Sequence, residues 1–133
     1  MKTLPADASD EDILEAVYEW IGLLAEERYE QAYHFFVNSE HNPWHWSPQL
    51  LKRVIRTHGS YHEQEIDTVT ALEKTTGGLE PRHDVNRDDD NERQGYIWFD
   101  LPLNGKWSDL TAVLTFRVIN QRLIIELESI EVM

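Results

Sequence analysis

Residues 96–133 read YIWFDLPLNGKWSDLTAVLTFRVINQRLIIELESIEVM, and two dipeptides inside this run decide the fold. "NG" at Asn104 and Gly105 is the strongest short hairpin signal, and "NQ" at Asn120 and Gln121 is a weaker one. Taken as two-residue turns, they generate three antiparallel strands in which Ile97 opposes Ala112, Phe99 opposes Leu110, Phe116 opposes Ile125 and Leu114 opposes Leu127. One face then runs from Ile97, Phe99 and Leu101 through Leu110, Ala112, Leu114, Phe116 and Val118 to Leu123, Ile125 and Leu127 without a charge, as a core-facing sheet surface does. After Leu127 the alternation breaks, because Ile130 and Val132 are out of phase with it. One extra residue near Glu128 and Ser129 restores them to the core face, which predicts a β-bulge there.

The other face carries Tyr96, Trp98, Asp100, Asp109, Thr111, Val113, Thr115, Arg117, Ile124 and Glu126. It is too apolar to be wholly solvated, so Tyr96, Trp98, Val113, Arg117 and Ile124 are candidates for a homodimer face. The same register sets Asp100 across from Asp109. A shared proton or cation, a basic residue from a second copy, or a bulge near Pro102 and the "KWSD" run would each relieve that repulsion.

Upstream, the apolar period is helical. Ser9 ahead of Asp10, Glu11 and Asp12 is a helix start, and Ile13, Val17, Trp20, Ile21 and Leu24 follow at helical spacing. A shorter helix carries Tyr29, Ala32, Tyr33 and Phe36. In "HNPWHWSPQLL", residues 41–51, Ser47 is an N-cap, Pro48 suits the first helical position and Trp46 can staple onto Leu51. Pro43 between His41 and His45 argues against a helical metal pair, leaving Trp44 and His45 either at a pocket rim or at the core edge. The third helix buries Leu51, Val54 and Ile55, turns Lys52, Arg53 and Arg56 outward, and ends at Gly59. Ile66 to Leu72 reads as a first strand, and residues 75–94 as a mobile loop. Within it Asp84, Asn86 and Asp88 imitate a calcium loop, but Asp89 and Gly95 stand where that loop needs Gly and a bidentate Glu. The expectation is α+β: three N-terminal helices packed on a curved antiparallel sheet of about four strands, in one domain spanning residues 1–133.

Composition narrows function. Twelve Lys and Arg against 25 Asp and Glu give a net charge of −13, which repels phosphate backbones and anionic lipid, so neither nucleic acid nor membrane is an expected partner. The absence of cysteine removes thiolate chemistry and fits a cytoplasmic protein. No metal, cofactor or catalytic residue is expected.

Three helices with "YEQAYHFF" in the second and "SPQLLKRVI" in the third, ahead of a long antiparallel sheet, resemble the nuclear transport factor 2-like (cystatin-like α+β) superfamily. The ending "WSDLTAVLTF…LIIELESIEVM" also resembles a family of small bacterial domains of uncharacterised role with that fold. The resemblance implies a cone with space between helices and sheet, frequent homodimerisation through the outer face, and, in the enzymes of the superfamily, an Asp or His inside the cone. The inward sheet face is expected to carry no acid, base or Tyr, so the inward candidates come from helices and their loops: Trp20, Tyr33, His34, Trp44 and His45, with Tyr18 beside them. The expected function is a non-catalytic binding or protein-interaction domain, homodimeric, meeting a protein partner or a small apolar ligand. The alternative is an isomerase, cyclase or lyase working in a pocket between helices and sheet.

Overall fold

The computed structural model describes residues 1–133. The chain is α+β, with three helices packed on a curled five-stranded antiparallel sheet in the order β1-β5-β4-β3-β2. The strands are β1 (Thr3–Pro5), β2 (His83–Arg87), β3 (Gly95–Leu103), β4 (Lys106–Ile119) and β5 (Arg122–Val132), and the helices are α1 (Asp10–Ala25), α2 (Tyr29–Phe35) and α3 (Pro48–Arg56).

Both turns form as two-residue hairpins with left-handed backbone at Asn104, Gly105, Asn120 and Gln121, the conformation that lets a tight turn follow the strand twist. Near the first turn Leu103 faces Lys106, but beyond Pro102 the pairing shifts, so that Phe99 meets Ala112 and Ile97 meets Leu114. Two additional β4 residues enter there. Because side chains alternate with period two, that shift changes partners and keeps faces, and Ile97, Phe99, Leu101, Leu110, Ala112 and Leu114 are all fully buried. It also removes the anticipated clash, since Asp100 faces Thr111, not Asp109.

The second bulge falls where the broken alternation puts it. Leu114 pairs with Leu127 and Val113 with Ser129, leaving Glu128 as the extra residue. Ile130 returns to the core, whereas Val132 stays partly exposed at the end of the strand.

Two expectations need correction. Residues 66–72 are not a strand: only Val69 bridges, to Leu103, and a 3-10 turn follows at Leu72–Lys74. The amides of Ile66 and Asp67 instead donate to the Arg56 carbonyl at the end of α3. Within 75–94, His83–Arg87 forms the edge strand β2, whose Asp84, Asn86 and Arg87 hid it among loop-like residues. Charged side chains are what an edge strand carries to deter further pairing. The fifth strand is β1, a three-residue segment on β5.

A cluster of 28 buried residues fills the space between sheet and helices. α1 contributes Ile13, Val17, Trp20, Ile21 and Leu24, and Ser9 and Asp12 close a capping box at its start. At α3 the Ser47 side chain accepts from Leu50 N–H, with Pro48 in the first turn. Each fully buried Leu or Ile side chain contributes about 1.5–3 kcal/mol to that core.

Candidate functional site

The ligand-pocket candidates scatter. Trp20 is fully buried in the core, Tyr33 and Trp44 are half-buried against it, and His34 and His45 are exposed. His34 pairs with Glu30 across one helical turn. The gap lined by Trp20, Tyr33, Phe36 and Trp46 measures about 10 Å³, room for no more than a single water. His45 has a left-handed backbone, and it is Trp46 that turns inward, stacked on Trp44 at 5.0 Å. A larger hollow of about 470 Å³ lies outside the core, between α1 and residues 69–74, open to solvent and bordered by Tyr18 and Glu26.

The outer sheet face gathers the dimer candidates. Tyr96 and Trp98 lie 5.9 Å apart, Trp98 faces Val113, and Arg117 faces Ile124. Ion pairs flank them. Arg117 bonds the buried Glu126 at 3.2 Å, and the Arg82 guanidinium lies 5.5 Å from the Trp98 ring. Ile124 is already buried within the chain.

Two histidine centres were hidden in the sequence. His83, on β2, faces inward, stacked on Phe99 at 3.9 Å, with Tyr18 and Trp107 edge-on to its ring. Its Nε2 is buried without a partner. Burial lowers its pKa below the ordinary 6.5, against the weaker upward pull of Asp100 and Asp84, so the fold favours the neutral ring. It corrects the expectation of an inward face without a base; β2, with Val85 as its one aliphatic residue, carries no strand-like alternation in the sequence.

The second centre lies past the end of α3. The His58 amide bonds the Ile55 carbonyl and the Gly59 amide the Val54 carbonyl, a Schellman arrangement that holds His58 in the left-handed region at φ 52°. His58 Nδ1 is 2.7 Å from Asp67 Oδ2 and Nε2 is 2.7 Å from Asp109 Oδ1. Burial alone would depress the His58 pKa, but the hydrogen bonds and charges of Asp109 and Asp67 outweigh it and raise the pKa. His62 Nε2 approaches the same Asp67 oxygen at 3.7 Å, and Asn104 Nδ2 donates to Asp67 Oδ1 at 2.9 Å. Asp67 is buried. The centre joins four separate stretches of chain, and no local motif announces it.

Compared with known proteins, the chain matches no family model, no curated protein and no solved structure.

Proposed function

We propose that this chain is a non-catalytic protein-interaction domain of the nuclear transport factor 2-like kind that works as a homodimer, joined through the outer sheet face. The observation that carries this reading is the cluster of Tyr96, Trp98 and Val113, rimmed by the Arg82, Arg117 and Glu126 ion pairs. An aromatic centre with a polar rim is the usual anatomy of a protein interface. The sheet edges suit this role less well. One side of β5 is taken by β1 and by a bridge from Val37, and β2 presents a charged edge. The closely filled interior beneath Trp20 and Tyr33 favours interaction over a small-molecule pocket there.

Two copies of charge −13 repel at long range, so an apolar face-to-face dimer should tighten severalfold as salt screens that repulsion. Sedimentation equilibrium is expected to show a dimer at roughly 10–50 µM in moderate salt, and Tyr96→Glu is expected to dissociate it without lowering the melting temperature. A monomer across that range, or a dimer indifferent to Tyr96→Glu and Val113→Glu, overturns the reading.

A further inference from the structure

We propose that His58, His62 and Asp67 form a binding site for a zinc-class divalent cation, with Asp109 and Asn104 orienting its ligands. The candidate donor atoms of the three residues lie within 4.8 Å of one another. Around one zinc ion, ligands at bond lengths of about 2.0–2.1 Å stand roughly 3.3 Å apart. The separations from Asp67 Oδ2, 2.7 Å to His58 Nδ1 and 3.7 Å to His62 Nε2, fall on either side of that spacing. Seating an ion requires the shorter contact to open by about 0.6 Å and the longer one to close by about 0.4 Å.

The surroundings are those of a metal site as well. A metal-bound imidazole characteristically donates its other N–H to a carboxylate, which fixes the tautomer and strengthens the ligand. His58 Nε2 meets Asp109 in that way at 2.7 Å. Ligating carboxylates are themselves hydrogen-bonded, and Asp67 keeps Oδ1 on Asn104 while Oδ2 faces both histidines. An imidazolium held between two aspartates accounts for His58 alone. It leaves unexplained why His62, beyond hydrogen-bond reach, converges on the same Asp67 oxygen with its ring 5.5 Å from that of His58.

The backbone ties the three ligands to one base. His62 N–H donates to the Thr57 carbonyl and Asp67 N–H to the Arg56 carbonyl, so both ligands hang from the last turn of α3, which His58 itself terminates. Charge is matched too, because two neutral imidazoles with Asp67 and Asp109 carry two negative charges and a divalent ion cancels them. Two nitrogens and one oxygen suit zinc, cobalt or nickel better than calcium or magnesium, which prefer oxygen shells. His62 and Asp109 are partly exposed, which gives an ion a route from solvent and leaves the remaining coordination positions to water.

The test is a Zn²⁺ titration of the full-length, chelator-treated chain against a chromophoric competitor, with Co²⁺ absorption reporting the ligand field. One ion per chain is expected, with His62→Ala weakening binding at least tenfold while leaving the metal-free melting temperature unchanged. Asp109→Asn should weaken it by about tenfold through loss of the outer-sphere bond. His34→Ala and His45→Ala, remote exposed histidines, should have no effect. Failure to saturate below roughly 100 µM Zn²⁺, affinity indifferent to His62→Ala, or Ca²⁺ binding as tight as Zn²⁺ would each overturn the proposal. Because the His62 side chain makes no hydrogen bond and its backbone N–H survives the change to alanine, its variant keeps the test decisive even if His58→Ala unfolds.

Discussion

The indole N–H of Trp46 donates to the carbonyl of Glu128 at 3.2 Å, across the bulge in β5. A bulge interrupts the ladder and frees backbone groups, and the neighbouring Leu127 carbonyl is taken by Asn42 Nδ2 at 2.7 Å. The "HNPWHW" segment therefore serves as the lock that satisfies the bulge and then feeds Ser47 into α3. Trp46→Ala should cost about 3 kcal/mol, from the cavity and the lost indole, and Trp46→Phe about 1 kcal/mol, mainly from the hydrogen bond. His45→Gly should be neutral or slightly stabilising, since only the left-handed backbone of His45 matters. Urea unfolding of the three variants measures this; equal losses at both positions would mean that the His45 ring is also required.

Gly78 carries the pairing of the preceding loop. Its φ is 87°, and a Cβ there would stand 2.5 Å from the Trp107 carbonyl oxygen, which backbone cannot easily vacate. Gly78→Ala is expected to destabilise by about 2 kcal/mol or more. Gly77→Ala, with open space around it, should cost only the conformational strain of its own positive φ. A loop free of the sheet would give two equal, small losses in a melting experiment.

How much of this was legible follows from where the information lies. The buried face of β3, β4 and β5 could be read because alternation survives a two-residue shift, so even wrong partners such as Phe99 with Leu110 left both residues inside. The bulge at Glu128 was visible because one extra residue does break the alternation. β2 was not, since Val85 is its one aliphatic residue and its flanks are charged. The residues around His58 come from the α3 terminus, the 62–67 loop, a hairpin turn and β4, and contacts between such separate stretches leave no period in a sequence.

Asp100 has become a fixed point where the simple register predicted repulsion. It is buried and accepts from Arg82 Nε at 3.2 Å, Arg82 Nη2 at 3.1 Å, the Arg82 backbone N–H at 2.9 Å and the Thr111 hydroxyl at 2.6 Å. Asp100→Asn should therefore destabilise at pH 7 by about 2 kcal/mol, because an amide nitrogen replaces one acceptor and the charge-assisted bonds weaken. Thr111→Val should lose about 1 kcal/mol. Stabilisation by Asp100→Asn in chemical denaturation would restore the repulsive register and refute the Arg82 clamp.

His83 sets a pH dependence whose sign is fixed by its surroundings. Its folded pKa lies below 6.5 because burial against Phe99 disfavours the charged ring, whereas in the unfolded chain it titrates normally. Below pH 6.5 the unfolded state takes up a proton that the native state refuses, so the contribution is fully present above the unfolded pKa and lost as pH falls toward the folded one. His83→Phe keeps the stack on Phe99 and removes both the proton site and the unpartnered Nε2. At pH 7.5 the variant should lie within about 1 kcal/mol of the parent, and between pH 6.5 and 5 it should gain on it steadily. All other titrating groups are common to both proteins, so the difference between their stability curves isolates His83. Parallel curves across that interval would mean that the ring is charged equally well in both states, against the desolvation that lowers the His83 pKa.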